Sequence, residues 1–366
     1  MPVEFIGYVG NQNQSETIAA SGPAIDLVHV ETAAKLHENA GFDRTLFAFH
    51  STSPESILVA QHAASVTDRL GVMIAHRPGF NAPTILARQL ATLDHITKGR
   101  VSVHVITGGS DVELQADGDY TTKAERYART SEYLDIVRSE WTETKPFDYA
   151  GRFYRVNGAR SVVKPYRPSG IPVYFGGSSD EAIAVAGKHA DIYALWGETY
   201  EQVREVIARV RAAAAPYGRS PRFSLSLRPI VADTEEEAWT RADRVLEQAR
   251  ALQEASGFKR PVDVPNEGSR RLLAAAAQGT RLDKRLWTGI ASLAGARGNS
   301  TSLVGTPDQV ADAMLDYYRL GISTFLIRGF DPLLDAYQYG RDLIPRVRAL
   351  VAKEDLDAAI QVAEAA

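Results

Sequence analysis

Two groups of residues in this chain could do chemistry: a glycine–serine turn suited to one anion and a set of arginines suited to another. The turn is Gly176-Gly177-Ser178-Ser179, set between the apolar signal "VYF" and the acidic start of a helix. Glycines leave the backbone bare for close approach, and N–H groups at a helix start beside serine hydroxyls suit a phosphate. A reading without any ligand is equally open here, because Ser178 with Glu181 three positions on makes a capping box that satisfies the same N–H groups. The usual catalytic signatures are missing: there is no G-x-S-x-G, H-E-x-x-H, P-loop or paired-carboxylate pattern. Cysteine is absent, which removes disulfides, Cys-ligated zinc, iron–sulfur clusters and thiol nucleophiles. None of the eight histidines forms an i, i+4 ligand pair, and no metal site is expected. A chain without its own nucleophile, base cluster or metal borrows reactivity from a cofactor.

The elements that must position these residues alternate along the chain. Strands are predicted at 4–9, 44–49, 70–75, 101–106, 172–175, 191–196, 223–231 and 323–328. Helices are predicted at 26–40, 54–68, 83–97, 123–141, 179–189, 199–216, 234–253, 307–319 and 333–352. Strands of near-continuous apolar character between helices indicate a parallel sheet buried on both faces. Eight is the closure number of the TIM (β/α)8 barrel, and no G-x-G-x-x-G follows the first strand as an open dinucleotide fold would require. Residues 144–170 read as a small hairpin with a proline-rich return. Residues 254–302 form a long excursion after strand seven, read as an active-site lid. The whole chain, 1–366, is expected to be a single α/β barrel domain with that insertion. Net charge of −4 and 23% charged residues give no footprint for nucleic acid. No apolar run reaches the length of a membrane span, and "MPVEFIGYVG" lacks a signal-peptide pattern. A cytoplasmic protein is expected.

Functional residues of a barrel lie where strands end, and these positions are rich in amides, hydroxyls and arginines. Asn11, Gln12 and Asn13 follow strand one, and His50, Ser51 and Thr52 end strand two. His76 and Arg77 follow strand three, Thr107 strand four, the Gly-Ser turn strand five and Trp196 strand six. Arg228 and Arg328 end strands seven and eight. His29, His37, His62, His95 and His189 fall on predicted helices and His104 in mid-strand, so only His50 and His76 stand where a strand ends. Such a lining suits a polar anion.

Several longer stretches carry a resemblance: "RPGFNAPTILARQLATLDHITKGRVSVHVITGG" (77–109), "ERYARTSEYLDIVRSEW" (125–141), "FDYAGRFYRV" (147–156), "YFGGSSDEAIAVAGKHADIYALWGE" (174–198) and "LVGTPDQVADAMLDYYRLGISTFLIRG" (303–329). In order, over about residues 3 to 350, they resemble the bacterial luciferase-like flavin monooxygenases, and within them the reduced-FMN-dependent alkanesulfonate monooxygenases. The resemblance implies a TIM barrel with an insertion after strand seven. It implies reduced FMN supplied by a separate NAD(P)H-dependent flavin reductase, O2 as co-substrate, and cleavage of a carbon–sulfur bond to sulfite and an aldehyde. It assigns Gly177, Ser178, Ser179 and Tyr127 of the "ERY" motif to the FMN phosphate. Thr107, Ala75 and His76 are placed by it near the flavin ring, at a strand-three bond that is often a cis peptide in the family. A homodimer or homotetramer is the common family assembly.

Departures from that pattern shape the substrate expectation. A family cysteine near the strand-two loop is Ser53 here, the strand-seven arginine–x–histidine is Ser226 and Arg228, and the tyrosine after strand eight is Phe330. The lid arginine is retained as Arg297 and the strand-six tryptophan as Trp196. Arg328, Arg297 and Arg228 are expected to converge on a sulfonate, since guanidinium forks suit such oxyanions. Trp196, His50 and Asn11 complete the expected catalytic set. The amide and hydroxyl lining points to a polyhydroxylated sulfonate, of which sulfoquinovose is the candidate. Alternatives are a linear alkanesulfonate or dimethylsulfone monooxygenase, or a deazaflavin-dependent oxidoreductase of the same superfamily.

Overall fold

The structure, a computed structural model, describes residues 3–256, 266–296, 298 and 300–364. Eight parallel strands close a barrel: one Glu4–Tyr8, two Arg44–Phe47, three Gly71–His76, four Val101–Val105, five Val173–Gly176, six Ile192–Trp196, seven Arg222–Leu227 and eight Ile322–Ile327. Each is a neighbour of the next in sequence, and the eighth lies beside the first. The expected fold class is the observed one.

Register explains which residues this barrel presents at its strand ends. Phe5, Phe325 and Leu225 form one cross-strand row, and Glu4, Thr324 and Ser224 the adjacent row. Phe5 stacks on Phe325 and takes the guanidinium of Arg348 from the C-terminal helix, so the first row faces the helices. By the two-residue period of a strand, the other row faces the barrel interior. Continued upward, that inner row reaches Tyr8, Arg228 and Arg328.

The described chain packs as two compact units, one of Met1–Thr45, Leu195–Ile207 and Arg222–Ala366, the other of Leu46–Ala194 and Ala208–Pro221. In the first unit, strand seven is shorter than the predicted 223–231. Pro229 lacks the N–H a ladder needs, and Ile230–Val231 instead pairs in parallel with Ser302–Gly305 in a separate four-stranded sheet. Leu286–Trp287 and Arg281–Leu282 complete that sheet. It has its own core, with Ala238, Ala242 and Val245 of the helix Glu235–Ala255 packed on Trp287, Ile290 and Val304. Thr234 and Glu237 start this helix with a reciprocal capping box. The excursion after strand seven therefore has its base at 230 and 305. The described part of the expected lid holds the helices Glu267–Gln278 and Gly289–Ala294. The predicted final helix is interrupted, running Pro332–Gln338, a π-type turn at Tyr339–Leu343, and then Ile344–Glu364.

In the second unit the expected hairpin is present as Phe147–Ala150 against Arg155–Ala159. A long helix, Lys123–Thr142, and a shorter one, Asp180–His189, carry the ERY motif and the exit of the Gly-Ser turn. Among the described residues no helix is long and apolar enough to cross a membrane.

Candidate active site

The ERY motif is built to hold Tyr127 still. Glu125 closes a capping box with Thr122. Arg126 donates to Asp111 Oδ1 at 2.8 Å and to the Thr121 carbonyl at 2.6 Å. The Tyr127 hydroxyl then lies 3.2 Å from the point where a β-carbon on Gly177 would stand. Gly177 has φ +128°, and that β-carbon would also come within 2.8 Å of Ala182 Cβ, so only glycine keeps this turn open. The adjoining helix starts one residue later than the capping-box reading required. Ser179 is the N-cap, accepting from the Ala182 N–H at 3.3 Å, and the Ser178–Glu181 box of the alternative reading is not formed. This leaves the Ser178 hydroxyl outside the cap. Asp180, whose negative charge would oppose an anion, is 96% exposed and pairs with Arg209 at 2.7 Å. Bare backbone, Ser178 and Tyr127 at the start of a ten-residue helix fit the phosphate of a flavin mononucleotide.

Strand three ends with its two site residues on opposite faces. Ala75 pairs across the ladder with His104 and accepts a hydrogen bond from Ser56 Oγ at 2.9 Å. The His76 ring belongs instead to the helix layer, its Nε2 3.0 Å from the Tyr133 hydroxyl. Burial pulls its imidazole down to about 3, so it is neutral at ordinary pH. Among the described residues no peptide bond is cis. Thr107 is buried just beyond strand four.

His50 has a partner that sequence reasoning missed. Glu113 Oε1 lies 3.5 Å from His50 Nδ1 and accepts from Arg77 Nη2 at 2.9 Å and from the Ser51 N–H at 3.2 Å. The His50 contact, then the Arg77 charge, hold this carboxyl down at about 2 against the effect of burial. Glu113 rides on a six-residue helix, Asp111–Ala116, too short to show periodicity. The available signal was Ser110 three residues before Glu113, and Ser110 is indeed the N-cap.

In the other unit, Arg228 and Arg328 meet at one carboxylate, that of Glu16. Arg228 Nη1 is 2.6 Å and Arg328 Nη2 3.0 Å from Glu16 Oε1. Burial alone would raise this carboxyl, but the two arginine charges outweigh it and bring it to about 2. Arg228 is 1% exposed, lies 3.8 Å over the Phe330 ring and donates to the Gly329 carbonyl at 2.8 Å. Arg328 is 34% exposed and sits over the Tyr8 ring. The loop is stitched down on both sides of Glu16, since Ser15 Oγ and Thr17 Oγ1 both donate to the Phe330 carbonyl, at 2.5 and 3.0 Å. Beneath it lies a cavity of about 20 Å³, room for one water.

Asn11 and Gln12 are half-buried in the same loop, and the Asn11 carbonyl accepts from the Asp26 N–H. Trp196 packs against Gly268, Leu272 and Ala291 of the insertion. Next to it, buried Glu198 receives two N–H donors of Arg271 at 2.8–3.0 Å, tying the helix Glu267–Gln278 to the end of strand six. Arg297 lies outside the described residues.

Among solved structures, the chain is similar to a riboflavin lyase bound to modified FMN and riboflavin, at 19% identity and a TM-score of 0.78, over 95% of this chain and 92% of that one. An EDTA monooxygenase from Chelativorans sp. BNC1 matches at 19% identity and a TM-score of 0.75, over 95% and 94%. An F420-dependent secondary alcohol dehydrogenase matches at 17% identity and a TM-score of 0.67, over 95% and 99%. These likenesses concern the fold. A family model described as luciferase-like monooxygenase matches residues 3–324, which takes in most of the barrel, the Gly-Ser turn, Glu16 and Arg228 and stops short of Arg328. The chain belongs to the luciferase-like monooxygenase family and is an enzyme of the flavin-dependent monooxygenase kind.

Proposed function

We propose that the protein is a two-component monooxygenase, using FMNH2 from a separate NAD(P)H-dependent reductase and O2 to release sulfite from an organosulfonate. The carrying observation is one of charge. Arg228 and Arg328 bring two positive charges together and Glu16 returns one negative charge, so the cluster is left with a single uncompensated positive charge. Arg328, the more exposed member, can offer its remaining N–H donors to a sulfonate. The amides of Asn11 and Gln12, half-buried in the loop that carries Glu16, support a hydroxyl-bearing substrate such as a sugar sulfonate, because unmatched amides penalise an alkyl chain.

Overall, R–CH2–SO3⁻, O2 and FMNH2 give R–CHO, hydrogen sulfite, FMN and water. The bound reduced flavin supplies the two electrons that allow dioxygen to be split between aldehyde and water. Tyr127, Ser178 and the Gly177 backbone hold the phosphate, with Ser179 fixing the helix behind them. Arg328 orients the sulfonate. His50, steadied at Nδ1 by Glu113, is the side chain assigned to take or return a proton. The test is sulfite release in a coupled assay with flavin reductase, FMN, NADH and air. Release from sulfoquinovose faster than from hexane- or octanesulfonate supports the full reading. The reverse order overturns the sugar assignment, and anaerobic reduction of F420 by an alcohol without sulfite release overturns the oxygen chemistry.

A further inference from the structure

We propose that Glu16 is a charge filter: by cancelling one of two arginine charges, it makes the anion site accept a singly charged sulfonate and reject a doubly charged phosphate with a similar tetrahedral head group. The inference rests on the sulfonate reading above and concerns how that site chooses among anions.

Three observations carry it. First, the carboxylate is shared, with Arg228 and Arg328 at 2.6 and 3.0 Å from the same Oε1, so neither guanidinium carries its full charge toward a ligand. Second, the carboxylate is fixed. Ser15 and Thr17, on either side of it, both donate to the Phe330 carbonyl, and Asp335 in turn accepts from the Phe330 and Asp331 N–H groups at 2.7 and 3.0 Å. The cavity beneath has room for about one water, so Glu16 has no deeper place to withdraw to when a ligand arrives. Third, the more buried arginine is closed off from solvent, paired with Glu16 through Nη1 while its Nε is buried without a hydrogen-bond partner among the described residues. Arg228 is enclosed by Glu16, the Gly329 carbonyl and the Phe330 face, and Arg328 alone remains open.

With Glu16 in place, a monoanion brings the site to neutrality and a dianion leaves it with one negative charge held close to a carboxylate. Like charges in a partly desolvated site repel strongly, whereas in bulk water the same pair would hardly interact. The sulfonate and phosphate head groups are both tetrahedral and close in size, so the shape of the head group does little to separate them. Charge can.

The experiment compares sulfoquinovose with glucose 6-phosphate, glucose frames carrying a monoanion or, through one more bridging oxygen, a dianion at pH 8; the extra atom is common to wild type and variant, so the change in their affinity ratio reads charge. Binding is measured by calorimetry on the purified protein, and competition in the sulfite assay. Wild type should bind the sulfonate and exclude the phosphate. Glu16→Gln should raise phosphate affinity relative to sulfonate affinity by about tenfold or more, the scale of one added charge contact at a partly exposed site. Glu16→Asp, which keeps the charge, should hold the wild-type ratio and controls for disturbance of the loop. Sulfonate binding that is lost in Arg328→Met, together with an unchanged ratio in Glu16→Gln, overturns the filter and leaves the sulfonate reading intact. A rise of both affinities by the same factor also overturns it, showing Glu16 to be a plain competitor for the arginines. If wild type binds neither sugar and Arg328→Met changes nothing, the sulfonate reading and the filter fall together.

Discussion

At the scale of single residues, two neighbouring serines divide the work that the sequence seemed to give to one. Ser179 caps the helix and Ser178 does not, so the two substitutions separate folding from binding. Ser179→Ala is expected to cost about 0.5–2 kcal/mol of stability, the usual loss for a removed cap, measured by urea denaturation. Ser178→Ala is expected to leave stability alone and weaken reduced-FMN binding by about 1–3 kcal/mol, measured by fluorescence titration under anaerobic conditions. At the other anion site, Arg328→Met is expected to lower kcat/KM for a sulfonate by several kcal/mol, about 2–5. Arg328→Lys should recover only part of this, since one ammonium cannot reproduce a fork. Arg228, Arg328 and the Gly-Ser turn stood out because each is a residue type with few uses at a strand end, whereas Tyr127, inside the helix Lys123–Thr142, was marked only by the resemblance of its ERY motif. Glu16 was not legible, because a lone carboxylate in the polar run "GNQNQSET" has no periodicity to mark it. Only the fold brings it to arginines more than 200 residues away.

At the scale of elements, barrel strands could be read from their apolar runs to within two residues, because burial on both faces leaves little choice of residue. The exception is instructive: "FSLSLRPIV" reads as one strand, but Pro229 divides it between two sheets. The insertion was harder to read because its short strands have two residues each beyond the base, too few to alternate. What fixes its helix Glu267–Gln278 is the buried pair Glu198–Arg271. Burial raises the Glu198 carboxyl and Arg271 pulls it back, so removing the arginine strands a desolvated charge. Arg271→Met is expected to destabilise the protein by about 3–5 kcal/mol, while the double change Arg271→Met with Glu198→Met restores most of that. Chemical denaturation of the three variants checks it, and equal loss in single and double variants would refute the anchoring role.

At the scale of the whole molecule, buried histidines set the response to acid. Burial lowers the imidazoles of His37, His76 and His189 to about 4, 3 and 3, with neighbouring cations adding to the effect at His189. Their neutral forms are favoured in the fold, whereas the unfolded chain binds protons from about pH 6.5 downward. Stability is therefore complete above pH 6.5 and falls as the pH drops, by up to about 1.4 kcal/mol per pH unit for each histidine. Glu16 and Glu113, both held near 2, act lower: their contribution is present above pH 4.5 and disappears toward pH 2. Denaturation midpoints measured from pH 8 to 3 should show a first decline beginning near pH 6.5 and a steeper one below 4.5; a flat profile between 7 and 5 would contradict the first. One more consequence follows from the pairing of Ile230–Val231 with Ser302–Gly305. Along the chain, the stretch between those two strands departs from the barrel strands and rejoins them at one paired neck. In lineages sharing this barrel, such a neck makes the intervening stretch an exchangeable cassette, free to be lengthened, shortened or traded without re-registering the eight staves. Such an exchange leaves the eight barrel strands and their register unchanged.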